Sequence, residues 1–190
     1  MKLQANILGM VILVGIFIAL IAFSYQSIIP IMQLNEAVGK FQQAKAFATQ
    51  VADGIVSVAN EGGTKHYKIP SGMTVRVQGW DATTKPNSIW IEFSAQIALD
   101  EIEAKTYFPE LVSSVKPGMY GKDKPWQPVY QKLGKTMRIE IYFRPLENNR
   151  TYIINLKGPT TSGKGFIKAV FNRTEISDDS YKTYINLTFE

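Results

Sequence analysis

The chain has no cysteine and a single histidine, His66, among its 190 residues. The missing thiols exclude a disulfide scaffold, a thiolate metal site and a cysteine nucleophile, and one imidazole cannot form a two-histidine cluster. Formal charge is missing over a long stretch as well: Leu3 to Asn35, 33 residues, lie between Lys2 and Glu36 without any. No dense run of one sign exists either. Of 21 basic and 16 acidic residues, three of each precede Gly62, so 18 basic residues face 13 acidic ones after it. That excess is spread over many segments, whereas nucleic-acid binding calls for clustered Lys and Arg with exposed aromatics. Lys116, Tyr120, Lys122, Lys124, Trp126 and Tyr130 come nearest and read as a solvated basic loop. No nucleic-acid partner is expected. With 45% hydrophobic and 12% aromatic residues the chain can build a core, which excludes wholesale disorder.

What is present begins with Ile7 to Phe23 (ILGMVILVGIFIALIAF), apolar throughout and close to the roughly 20 residues of a membrane span. Three readings compete. A cleaved secretory signal would use the small residues around Ala22-Phe23-Ser24, but the apolar run exceeds an ordinary signal core and continues through Tyr25-Gln-Ser-Ile-Ile-Pro-Ile-Met. A plain membrane anchor would put the N-terminus and Lys2 inside and the rest of the chain outside. A helix that spans the membrane first and later packs among its own copies accounts best for length. The uncharged stretch is about 50 Å as a helix, against about 30 Å of hydrocarbon. Gly9 and the Gly15-x-x-x-Ala19 pair would let such helices approach closely.

Pro30 should loosen or kink this helix without ending it, because a one-sided pattern comes directly after it. Leu34, Val38, Phe41, Ala44, Ala48, Val51, Ile55 and Val58 recur at three- and four-residue spacing, with Glu36, Lys40, Gln43, Gln50 and Asp53 on the other side. Gly62-Gly63 supplies a stop. Residues 1–62 therefore read as one long helix whose second half needs a surface to cover its stripe.

From residue 63 to 190 the period falls to two. Tyr67–Ile69, Met73–Trp80, Ser88–Ile97, Met137–Phe143, Thr151–Leu156, Gly165–Phe171 and Lys182–Phe189 alternate apolar with polar, separated by turn residues. The expected fold class is α+β, a long N-terminal hydrophobic helix followed by an antiparallel, sandwich-like β domain. Residues 100–134, rich in Pro and Gly, are expected to form a long insert without strands, a place where function often resides.

Candidate chemical sites are few. Gly158-Pro-Thr-Thr-Ser-Gly-Lys164 matches seven positions of a phosphate-binding loop, but Gly165 stands where Ser or Thr should hold magnesium and no helix comes after it, so a hairpin turn is expected. The acidic groups Asp100-Glu101-x-Glu103 and Asp178-Asp179 lack the spacing of a calcium loop. No catalytic set can be assembled, and neither metal nor cofactor is expected. Three sequons, at Asn149, Asn172 and Asn186, fall in the last 42 residues and are glycosylation candidates. Asn186 should face away from the core, since it alternates with Ile185 and Leu187.

The layout of Ile7–Phe23, then Leu34–Asn60 closing on Gly62-Gly63, then Tyr67-Lys-Ile-Pro-Ser-Gly-Met-Thr-Val resembles archaeal type IV pilins and related pilin-like proteins. The resemblance implies a filament in which N-terminal helices bundle and β domains, often glycosylated, coat the outside. Two departures are visible. The basic residue with Gly or Ala that prepilins carry before the apolar run is missing from Met1-Lys-Leu-Gln-Ala-Asn6, so either Met1 is already the mature start or the chain stays unprocessed and anchored. Position 5 is Ala, not the Glu of bacterial pilins, which archaeal pilins commonly lack.

The expected function is a non-enzymatic structural subunit of an extracellular pilus, held in the cytoplasmic membrane before it polymerises with copies of itself. Ile7, Val11, Val14, Ile18 and Ile21 would pack laterally, with Gly9, Gly15 and Ala19 allowing close approach and Pro30 marking the far end. Leu34, Val38, Phe41, Ala48, Val51 and Ile55 would tie the helix to its own β domain. The alternatives are an anchored accessory subunit of an envelope machine, and an anchored adhesin binding a surface ligand or glycan through residues 100–134.

Overall fold

The computed structural model describes residues 2–83, 85–95, 118–159 and 161–190, and helix side chains from Gly9 onward. It opens with one helix, α1 (Lys2–Glu61), which runs on through Pro30. The proline ring removes one N–H from the ladder, and one turn earlier the Ser27 hydroxyl donates to the Phe23 carbonyl at 3.1 Å. The helix ends where the sequence changes to Gly62-Gly63. Both take positive φ (76° and 87°), open to glycine without a Cβ penalty, and the Gly62 N–H still reaches the Val58 carbonyl at 2.9 Å.

Among the described residues ten strands come after the helix: β1 (Thr64–Lys68), β2 (Met73–Gln78), β3 (Ser88–Ser94), β4 (Gly118–Met119), β5 (Trp126–Leu133), β6 (Thr136–Phe143), β7 (Leu146–Glu147), β8 (Thr151–Lys157), β9 (Phe166–Ile176) and β10 (Ser180–Phe189). They form a six-stranded sheet, β1-β9-β10-β8-β7-β4, and a four-stranded sheet, β2-β3-β6-β5. The α+β class is therefore present: a long apolar helix, then a β-rich domain with mainly antiparallel sheets. Two pairs, β8 with β10 and β4 with β7, run parallel.

The second half of α1 lies against strands of both sheets, and all three contribute to one apolar core. Alternation makes this possible. Val75 and Val77 of β2, Ile89, Ile91 and Phe93 of β3, and Met137, Ile139 and Ile141 of β6 all turn one way into that core. From the six-stranded sheet come Leu156, Ile167, Ala169, Ile185 and Leu187. Asn87 holds the sheets together. Its side chain donates to the Phe143 and Ile154 carbonyls (3.0 and 2.6 Å) and accepts from the Leu156 N–H at 2.8 Å, with a positive φ of 60° that asparagine tolerates.

Two expectations need correction. Residues 126–133 are not strandless: they form β5, paired with β6 and no other described strand. Pro128 is compatible because an edge strand leaves one side without ladder partners, while Trp126 and Tyr130 are buried. Gly118–Met119, also within the expected strandless insert, forms β4 and pairs with β7, while residues 100–117 of that insert lie outside the described residues. The segment 158–165 is no hairpin turn either, because β10 lies between β8 and β9. It crosses over to the other sheet, where Gly163 exchanges hydrogen bonds with Val75 (2.8 and 3.2 Å).

Candidate functional site

The surface that best qualifies as a functional site is the uncovered first half of α1. Met10, Val11, Ile12, Leu13 and Val14 succeed one another at about 100° intervals, and each is half exposed or more (50–72%). They cannot share one face, so the segment is apolar all round, the pattern of a helix destined for lipid or for burial among other helices. Gly9–Glu61 contains a stretch long and apolar enough to cross a membrane, none of it buried within the chain. Exposure continues beyond a single span, through Tyr25, Ile28, Ile31 and Met32, and among the described residues the first buried one is Ala37.

Val11, Val14, Ile18 and Ile21 stand in one exposed stripe at four- and three-residue spacing, with Gly15 at its edge and Gly9 on the far side. Ala19 and Pro30 are exposed too. Ile7 belongs to the helix, but its side chain lies outside the described residues. A Cβ at Gly9 or Gly15 would have open space within 4 Å. Nothing among the described residues packs against these glycines.

The second half is different. Phe41, Ala44, Ala48, Val51, Ile55 and Val58 are buried, while Leu34 and Val38 at the start of the stripe are half-buried. Ala37, Phe47, Ala52 and Gly54 widen the buried face beyond the expected stripe. A Cβ on Gly54 would collide with the Tyr67 hydroxyl of β1, so this glycine sets how closely helix and sheet approach. Burial raises the Tyr67 phenol above its ordinary pKa. On the polar side, Asp53 accepts from the Trp126 indole at 2.9 Å and from Lys124 at 3.1 Å, and Lys124 stands 4.8 Å over the Trp126 ring. That cluster ties the helix to β5.

Where the helix ends, a groove of about 350 Å³ opens between it and the six-stranded sheet. Val56, Ala59, Leu146 and Ile154 supply apolar wall; Asn60, Asp123 and Thr183 supply polar groups. Tyr120, Tyr152 and Tyr181 stack in its side at 3.9 and 5.0 Å between ring centroids. Arg150 caps the stack, 5.2 Å from the Tyr181 ring and donating to its hydroxyl at 2.6 Å. The Tyr152 phenol is raised above its ordinary pKa, first by desolvation and then by Tyr120 and Tyr181.

Other candidates are scattered. Asn149 and Asn172 are exposed, whereas Asn186, on the sheet face opposite Ile185 and Leu187, is half-buried with its amide oxygen covered. His66 lies in β1 with Nδ1 3.6 Å from the Glu190 carboxylate. Asp178 and Asp179 sit exposed in the β9–β10 turn, Asp100, Glu101 and Glu103 lie outside the described residues, and no metal-type cluster occurs among the described residues.

Sequence reasoning missed Glu140. Alternation puts it beside Arg138 and Tyr142 on the outer face of β6, which reads as solvated, yet it has no exposed surface. The tyrosine stack was equally illegible, since its rings come from β4–β5, β8 and β10. No protein-family model, curated protein or solved structure matches the chain.

Proposed function

We propose that this chain is a non-enzymatic structural subunit of an extracellular type IV-like pilus, in which α1 first spans the cytoplasmic membrane and then bundles with copies of itself while the β domains coat the outside. One observation carries the reading. From Gly9 to Glu36 the helix is uncovered apart from the half-buried Ile29 and Leu34, and its apolar residues point in every direction. Those 28 residues span about 42 Å, against about 30 Å of hydrocarbon. A lone anchor would leave Ile28, Ile31 and Met32 in water, whereas a bundle of helices covers the whole length. Close packing of the stripe around Val11, Val14, Ile18 and Ile21, with Gly15 beside it, is the assembly mechanism.

Shearing intact cells, imaging the released material and identifying its main protein tests this reading. Filaments composed of this chain are the expected result. Retention of the chain in the membrane fraction, with no filament containing it, would overturn the proposal in favour of an anchored subunit of an envelope machine. If the coat is glycosylated, the exposed Asn149 and Asn172 carry the sugar and Asn186 does not. Glycopeptide mapping that found Asn186 fully occupied would reverse that ordering.

The groove beside the tyrosine stack favours a second reading, an anchored or filament-borne adhesin. Phenol hydroxyls, the Asp123 carboxylate and apolar walls in one open cleft suit an amphipathic ligand such as a sugar. Binding of the purified chain to a glycan array, lost on Tyr152→Ala, would support it; an array with no bound sugar would remove its basis.

A further inference from the structure

The outer face of the four-stranded sheet holds a group of side chains that the filament reading does not use. Glu140 of β6 is fully buried there. Lys85 reaches it from the loop between β2 and β3, with Nζ 2.8 and 2.7 Å from the two carboxylate oxygens. To do so, Lys85 holds a positive φ of 47°, in the left-handed region that a lysine rarely adopts. On the neighbouring edge strand, Gln131 of β5 lies diagonally across from Glu140, since Gln131 pairs with Arg138 and Val129 with Glu140. With its amide oriented as its neighbours require, the Gln131 oxygen accepts from Lys85 Nζ at 3.1 Å and its nitrogen donates to Glu140 Oε1 at 3.3 Å.

Amine, carboxamide and buried carboxylate thus form a closed triangle. An ion pair needs only Lys85 and Glu140. The carboxamide lying against both is the additional feature, because it brings amine, carbonyl group and carboxylate base into one hydrogen-bonded set. The carboxylate touches the amine that must lose a proton and the nitrogen that must gain one. The reacting groups are already held together by the fold. The surroundings fix the carboxylate. Tyr142 donates to Oε2 at 3.0 Å and Arg138 Nη1 to Oε1 at 3.3 Å, while Arg138 is itself anchored on Glu92 at 2.6 Å and lies 4.2 Å from the Trp90 ring. Burial, and then the adjoining Glu140 charge, raise the Tyr142 phenol well above its ordinary pKa, so it remains a donor.

We propose that Lys85 and Gln131 join in an intramolecular isopeptide bond, with Glu140 carrying the proton. Glu140 takes one proton from the Lys85 ammonium it holds, and the Nζ lone pair so freed adds to the Gln131 side-chain carbonyl carbon. Glu140 passes that proton to the carboxamide nitrogen and takes a second one from Nζ; the bond from the carboxamide nitrogen to carbon breaks, and the departing ammonia carries away the second proton as ammonium. Ammonium side chain and primary carboxamide become a secondary amide and an ammonium ion, Glu140 ends as it began, and no oxidant, reductant or other reactant is consumed. The product ties the β2–β3 loop to the edge strand β5, closing a covalent loop over residues 85–131. In a chain without cysteine, such a bond supplies the cross-link a disulfide would otherwise give.

Peptide mapping of the full-length chain, extracted in detergent and digested, decides the matter. The expected result is a branched peptide joining Lys85 to Gln131, one ammonia lighter than its two parts, in most molecules. Two linear peptides of full mass from the unaltered chain would overturn the proposal. So would a branch from Lys85 to Glu140, one water lighter, because it would make Glu140 the acceptor. In Glu140→Ala the branched peptide should vanish; its formation at the original yield would remove Glu140 from the mechanism. Should Glu140→Ala fail to fold, Gln131→Asn keeps the carboxamide but withdraws it by one methylene, and a branch at residue 131 formed at the original yield would contradict the geometry described.

Discussion

The two halves of α1 carry the same residue types to opposite ends. Ile18 is 63% exposed and Ile55 wholly buried; Gly15 meets open space and Gly54 meets Tyr67. The difference lies in what surrounds each half. Residues after Ala37 are covered by strands of both sheets, and their apolar groups stabilise this chain's own fold. From Gly9 to Glu36, apart from the half-buried Ile29 and Leu34, the described helix residues are uncovered, so their apolar surface is free energy available only to association with lipid or with other chains.

The largest expected effect separates the halves outright. Replacing Gly15 and Ala19 with Phe should abolish filaments, as seen by electron microscopy of sheared material, while the thermal unfolding of the β domain stays unchanged. Intact filaments from that variant would sink the close-packing mechanism. Next comes Ile55→Ala, which leaves a cavity at the centre of the core and should cost about 3–4 kcal/mol in denaturant unfolding. Ile18→Ala, the matching change in the exposed half, should stay within about 0.5 kcal/mol in the same assay. Equal losses would mean that the two halves are not distinguished by burial.

Gly54→Ala sharpens the contrast with Gly15→Ala. Its methyl must displace the Tyr67 hydroxyl, so a loss of about 2 kcal/mol is expected, against no change at Gly15. A neutral Gly54→Ala would show that β1 yields freely to the helix. Asp53→Ala is smaller, about 1 kcal/mol, because it removes the Trp126 hydrogen bond and a solvent-screened contact with Lys124. Trp126→Phe should then lower the cost of Asp53→Ala, and a double-mutant cycle with no coupling would place the stabilisation elsewhere.

The smallest effect is a pH dependence. The Tyr142 phenol is raised in the folded chain and has its ordinary value once unfolded. Its contribution is therefore complete below about pH 10 and declines above it, as the unfolded chain releases a proton that the folded one retains. Tyr142→Phe should shallow that alkaline decline. An unchanged slope between about pH 9 and 11 would assign it to Tyr67, Tyr152 or Tyr184, whose phenols are also raised.

Much of the architecture was legible in the chain because it is written in local periodicity. Phe41, Ala48, Val51 and Ile55 recur at helical spacing, Met137, Ile139 and Ile141 at strand spacing, and Gly62-Gly63 punctuates the change. Strand β5 was hidden because Pro and Gly around it imitate a loop, and only its place at a sheet edge makes Pro128 acceptable. Glu140 was hidden for a related reason. Alternation tells which face a side chain takes but not whether something else covers that face, here Lys85 and Gln131 from two separate segments.

By itself the sequence determined the 60-residue helix, its division into an all-round apolar half and a one-sided half, and the β character of the domain after Gly63. These depend on neighbours within a few residues, through hydrogen bonds and side-chain spacing. Only the tertiary structure decided that the cover stops at Ala37, that three tyrosines stack at the groove, and that amine, carboxamide and carboxylate meet over β6. Each of those requires residues far apart in the chain to arrive at one place, and the order in which strands pair, which local pattern does not encode, sets that arrival.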